Sequence, residues 1–172
     1  MVEEKTSENE IFTVRIRLYG EYLSKKIDMS FVRIWIHAVW GTKSRGPILD
    51  EQAHELVCEH ILKNATEKGY HIDSIDGAAD HLHSLMALNA DLSISKQMQL
   101  IKGESSHWIN KNKLIKGHFE WGDEYFAVSV SEKDVDKVRA YIRGQKEHHK
   151  KKTFSDEYND FLKHYKFNRN QG

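Results

Sequence analysis

Tyr70-His-Ile-Asp-Ser-Ile-Asp-Gly-Ala-Ala-Asp-His-Leu-His-Ser-Leu-Met-Ala-Leu88 is the stretch whose reading decides the fold. Tyr70 to Ile75 and His81 to Leu88 each alternate with the period of two that a half-buried strand requires, and Asp76-Gly77 between them is a dipeptide suited to a tight turn. The stretch predicts a β-hairpin. On its N-terminal side, Asp50 is placed to cap a helix in which Ala53, Leu56, Val57, His60, Ile61 and Ala65 follow the 3.6-residue period, and Gly69 stops it. Further upstream, Phe31-Val-Arg-Ile-Trp-Ile-His-Ala-Val-Trp40 is dense in β-branched and aromatic residues and predicts a strand that ends in the Gly41 to Pro47 loop.

Downstream of the hairpin, Ile94, Met98, Ile101, Ser105 and Trp108 mark a second helix beginning at Ser93, and Tyr125 to Val130 a fourth strand with Phe126, Val128 and Val130 on one face. A third helix is predicted over Asp134 to His149 with Val135, Val138 and Ile142 as its packing stripe, followed by an amphipathic segment carrying Phe154, Tyr158, Phe161 and Leu162. The order β-α-β-β-α-β predicts an α+β fold: a ferredoxin-like split βαβ plait, with an antiparallel sheet, helices on one face, and an additional C-terminal helix that carries Tyr141. Residues 1–28 are not needed to complete that plait. They are expected to be an N-terminal extension, with Met29 a candidate start and 29–172 a single domain.

At 172 residues and 20.1 kDa, with 39% hydrophobic residues, the chain is long enough for one self-sufficient core. Cys58 is the only cysteine, which excludes an internal disulfide and any site built from several thiolates, and suits a cytoplasmic setting. No stretch approaches the roughly 20 apolar residues of a membrane span, and Met1 to Glu10 is acidic where a secretory signal is basic. Lys+Arg and Asp+Glu balance at 26 each, but the balance conceals segregation. Lys133 to Lys152 holds eight basic residues against three acidic ones, and four glutamates lie in the first ten residues.

His81 and His83 stand at i and i+2 of a predicted strand, so both rings emerge on one face, roughly 7 Å apart. Such a pair either packs in a core or shares a divalent ion. Asp80, taken as part of the same strand, falls on the opposite face by parity. Tyr141 and Gln145 lie i, i+4 on the third helix and can reach one point in space. By themselves they fit a core tyrosine beside a surface glutamine as well as a nucleophile beside a ligand. Lys43, Arg45, Lys102, Arg139, Arg143 and Lys146 are candidate phosphate contacts, and Trp40, Trp108 and Trp121 are either core residues or stacking platforms for bases.

Five segments in order, Val32-Arg-Ile-Trp-Ile-His-Ala-Val-Trp-Gly-Thr-Lys43, Asp80-His-Leu-His83, Gln99-Leu-Ile-Lys-Gly-Glu-Ser-Ser106, Trp121-Gly-Asp-Glu-Tyr-Phe-Ala127 and Tyr141-Ile-Arg-Gly-Gln-Lys-Glu-His-His149, give the chain a resemblance. From about Met29 to Phe167 it resembles the single-tyrosine HUH transposases of bacterial insertion sequences, the IS-two-hundred-like family. The resemblance implies a DNA transposase that cleaves and rejoins single-stranded DNA at hairpin-marked ends through a 5′-phosphotyrosine. It implies Tyr141 as nucleophile, His81, His83 and Gln145 as ligands of Mg²⁺ or Mn²⁺, and a homodimer with active sites shared between subunits. A non-catalytic hairpin-binding module would use the same fold and basic segments. Gly144, inside the predicted tyrosine helix, departs from helical preference by about 1 kcal/mol, which fits either a loosened turn that lets Tyr141 swing or a close contact with DNA.

Overall fold

The computed structural model describes residues 32–148 and 153–167; the expected N-terminal extension and candidate start at Met29 lie outside the described residues. Four strands form one sheet: β1 (Trp35–Gly41), β2 (His71–Ala78), β3 (His81–Ala87) and β4 (Phe126–Val130), in the order β2-β3-β1-β4 with every neighbour antiparallel. Helices α1 (Glu51–Glu67) and α2 (Ile94–Lys111) form the β-α-β-β-α-β connection. The expected plait is therefore present.

Both helices start where the sequence places their caps. Asp50 Oδ1 accepts from the Ala53 backbone N–H at 2.8 Å, and Ser93 Oγ from that of Lys96 at 3.2 Å. Val57 and Ile61 of α1 and Met98, Ile101 and Ile109 of α2 pack on Ile36, Ala38, Trp40, Leu82 and Met86, which point to one face of the sheet. Burial of each large apolar side chain here contributes about 1.5–3 kcal/mol.

The odd-numbered residues of β1 and β3 face the other way. There α3 (Val135–Arg143) seats Val135 and Ile142 on Trp35 and Leu85, while α5 (Phe154–His164) seats Phe154 beside Val39 and Phe126. Short α4 (Gln145–His148) lies between them in sequence. The predicted third helix is thus broken at Gly144, whose N–H reaches the carbonyls of Ala140 and Tyr141 at 3.1 and 3.2 Å as a helix terminus does.

The hairpin turn differs from expectation. β2 continues through Asp76-Gly77 to Ala78, and the chain reverses at Ala79-Asp80. Gly77 serves clearance instead of turning: it pairs with Leu82, and a Cβ there would stand 2.2 Å from the His81 carbonyl oxygen. No helix among the described residues is long and apolar enough to cross a membrane.

Candidate active site

Register places the site. Gly41 pairs with His81, Val39 with His83 and His37 with Leu85, so all three histidines project from the face covered by α3 and α5. His81 and His83 are fully buried and their ring centroids are 5.0 Å apart. Phe154 stacks on His81 at 4.1 Å and 7°. Gly41 makes room for this, since a Cβ would lie 3.1 Å from the Phe154 ring.

α3 is fixed to the sheet at two levels. Val135 and Ile142 supply the apolar contact, and Arg139 forks onto Asp73, Nε to Oδ2 at 2.8 Å and Nη2 to Oδ1 at 2.9 Å. Asp73 is available because β2 carries a register shift between Ile72 and Ser74, and an irregularity of this kind re-aims the extra side chain. Thus held, half-buried Tyr141 brings its ring edge-on to His83 at 5.7 Å and to His37 at 6.0 Å.

The acidic member of this centre comes from α5. Thr153 caps α5, accepting from the Asp156 N–H at 3.2 Å, and one turn later Glu157 enters the protein with 2% of its surface exposed. Its Oε1 accepts the hydroxyl proton of Tyr141, and its Oε2 stands 3.6 Å from His81 Nε2 and 3.5 Å from His83 Nε2. One nitrogen from each histidine and one Glu157 oxygen lie within 4.8 Å of one another, a spacing suited to a metal ion. Burial pushes the Glu157 carboxyl up to about 7, with His81 opposing and Asp80 adding to the rise. Burial, reinforced by His83, holds His37 down to about 3, so that ring is neutral. Beside Tyr141 a cavity of about 410 Å³ opens, lined by His37, Lys137, Tyr141, Glu157 and Phe161.

A family model described as Transposase IS200 like matches residues 30–145. The chain belongs to the IS200-like transposase family. The ISDra2 transposase TnpA of Deinococcus radiodurans is 24% identical over 115 residues, spanning 63% of this chain and 81% of that protein. Solved structures that share the fold include two transposases. A candidate transposase from Deinococcus radiodurans matches with a TM-score of 0.55, at 22% identity over 70% of this chain and 96% of that one. A REP-associated tyrosine transposase bound to a REP hairpin gives a TM-score of 0.53, at 15% identity over 72% of this chain and 73% of that one. In this IS200-like transposase the family match includes His37, His81, His83, Tyr141 and Gln145 but stops before α5, so Glu157 lies beyond it.

Of the residues anticipated from sequence, His81, His83 and Tyr141 come together. Gln145 is buried on α4, and its Oε1 makes no hydrogen bond among the described residues. Asp80 corrects the parity argument: it is a turn residue, free of strand alternation, and its Oδ1 lies 2.6 Å from His81 Nδ1. Trp40 and Trp121, 1% and 6% exposed, belong to the core and offer no face to a base, whereas Trp108 stacks on His60.

The anticipated cations are dispersed. Lys43 pairs with Glu120, the Arg45 guanidinium lies 4.4 Å over the Tyr158 ring, and Lys102 Nζ donates to the Asp123 carbonyl at 2.9 Å. Arg139 is committed to Asp73 and Asp136. Arg143 is exposed without an ion pair among the described residues, and the side chain of Lys146 lies outside them.

Sequence reading missed Glu157, His37 and the role of Asp80. A signal existed for the first two: Glu157 sits on the Phe154/Phe161 stripe of α5, and His37 interrupts an apolar, buried strand.

Proposed function

We propose that this transposase cleaves and rejoins single-stranded DNA at hairpin-marked ends through a phosphodiester bond to Tyr141. The observation that carries the reading is the assembly, under the hydroxyl of Tyr141 on α3, of two buried imidazoles from β3 and a buried carboxylate from α5. A module that only held a hairpin would need the fold and the cations but no such centre.

His81 Nε2, His83 Nε2 and Glu157 Oε2 would hold Mg²⁺ or Mn²⁺, and the unbonded Gln145 Oε1 is the fourth candidate ligand; nitrogen and oxygen donors of this kind suit these ions. When bound, the ion supplies charge neutralisation on the oxygens of the scissile phosphate. Tyr141 Oη attacks phosphorus, its O–P bond forms as the P–O3′ bond breaks, and the departing 3′ oxygen takes a proton to become a 3′-OH. The phenol proton passes to Glu157 Oε1, to which it is already hydrogen-bonded. Because the new linkage retains the ester, attack by a 3′-OH rejoins strands without a nucleotide cofactor.

The hairpin in the REP-associated relative supports hairpin-marked ends as the substrate here. Arg143, Lys43, Arg45, Lys102 and Lys146 are the proposed phosphate contacts, with Arg139 available only by releasing Asp73. Residues 29–172 make up the proposed catalytic domain, with 1–28 an appended arm, and a cytoplasmic setting fits. We also propose a homodimer. In the observed state Tyr141 stands over the histidines of its own chain, so a site shared between subunits requires α3 to exchange.

The test uses end-labelled single strands from the DNA on either side of the gene, chosen for any imperfect palindrome they contain, incubated with Mn²⁺ or EDTA and run on a denaturing gel. Wild type is expected to give a metal-dependent protein-DNA band. Tyr141→Phe should bind the same hairpin and give none. A metal-independent band, or an undiminished band from the variant, contradicts the reading.

A further inference from the structure

Each imidazole of the His81/His83 pair has two nitrogens, and the position of its proton decides whether it can act as a ligand. Both rings turn Nε2 toward Glu157, at 3.6 and 3.5 Å, and Nδ1 toward a hydrogen-bonding partner: Asp80 Oδ1 at 2.6 Å for His81, and His37 Nε2 at 3.1 Å for His83. The Nδ1 distances are those of hydrogen bonds and the Nε2 distances are longer.

Asp80, as a carboxylate, only accepts, so the His81 proton is on Nδ1 and the lone pair on Nε2. For His83 the partner is a second imidazole, able in principle to give or to take the proton. If His37 Nε2 donated, the His83 proton would sit on Nε2, a buried donor with Glu157 Oε2 at 3.5 Å instead of a partner at ordinary length. If His37 accepts, both short contacts are made and both Nε2 lone pairs converge. Packing does not ask for an imidazole at position 37. His37 is 3% exposed, with the Tyr141 and Phe161 rings edge-on at 6.0 and 5.7 Å, surroundings that a leucine would fill.

We propose that His37 is a positioning residue: its Nε2 accepts the Nδ1 proton of His83 and so fixes the tautomer that directs the His83 Nε2 lone pair at the His81/Glu157 centre. Its purpose rests on the metal reading above, whereas its geometry does not. Asp80 does the same for His81 from the turn, so the two ligand histidines are oriented from two different elements. Partners of this kind commonly alter metal affinity by about 10- to 100-fold.

The experiment takes the full chain, free of metal and labelled with ¹⁵N-histidine, at pH 7.5. Long-range ¹H–¹⁵N spectra report which ring nitrogens carry protons, with His83 assigned by difference from His83→Ala. Wild type is expected to show His83 protonated at Nδ1 and bare at Nε2. His37→Gln places an amide oxygen near the lost nitrogen; it should keep the tautomer and hold Mn²⁺ affinity, read by electron paramagnetic resonance, within about threefold. His37→Leu fills the space without an acceptor; it should move the proton toward Nε2 and weaken Mn²⁺ binding by about tenfold or more. A wild-type His83 protonated at Nε2, or a His37→Leu protein with wild-type tautomer and affinity, overturns the proposal. Wild type with the expected tautomer but no Mn²⁺ uptake supports the positioning and rejects the metal reading instead.

Discussion

Glu157 is where burial, charge and chemistry meet most directly. Its folded carboxyl is pushed up to about 7 from an ordinary value of 4.5, so the metal-free folded protein holds that proton more tightly than the unfolded chain does. The associated stability is fully present below pH 4.5 and is lost as pH rises from 4.5 through 7. Glu157→Gln mimics the protonated acid in shape and charge. In EDTA it should match wild type below pH 4.5 and exceed it by about 2–3 kcal/mol at pH 8 in urea unfolding, while taking up Mn²⁺ more weakly. A gain in stability with a loss of binding is the expected signature of a group retained for function. A variant less stable than wild type at pH 8 would contradict this account of Glu157. The histidine pair was legible from sequence because alternation alone sets its face. Glu157 was not, because its two histidine partners are 74 and 76 residues away along the chain and its helix begins after the segment shared with the family.

At the scale of elements, the four strands, α1 and α2 were legible with their caps, since periodicity and local side-chain chemistry determine both. The turn was misplaced for a physical reason: Asp76-Gly77 has the composition of a turn, but the glycine is needed for close approach to the β3 backbone. That displacement also hides Asp80, a turn residue to which strand alternation does not apply. The placement of α3 depends on Asp73, whose carboxyl is held down to about 2, chiefly by its hydrogen bonds to Arg139. Its contribution is present above the ordinary value of 3.8 and lost as pH falls from there toward 2. Asp73→Asn should therefore lower stability by about 1 kcal/mol at pH 7, a figure reduced for solvent screening, and the difference from wild type should close by pH 2. An unchanged difference across that range would show that the Asp73–Arg139 pair does not fasten α3.

At the scale of the whole molecule, one chain already joins tyrosine, histidines and carboxylate on one face of the sheet, with α3 bounded by the break at Gly144. Mixing Tyr141→Phe subunits with His81→Ala/His83→Ala subunits separates the arrangements. Sites confined to one chain leave every subunit inactive, whereas exchange of α3 restores one complete site per mixed dimer. We expect recovered cleavage, with subunit exchange verified by differential labelling; none would confine the reaction to the self-complete state.

The most direct measurement of the central claim is the identity of the residue that becomes joined to DNA. Wild-type protein is reacted with Mn²⁺ and a flanking-palindrome single strand, digested with protease and nuclease, and mapped by mass spectrometry. The expected result is a nucleotide attached through a 5′-phosphate to the peptide containing Tyr141 and to no other. A nucleotide on the peptide of Tyr125 or Tyr158, or none on any peptide under conditions that cleave the strand, would contradict it.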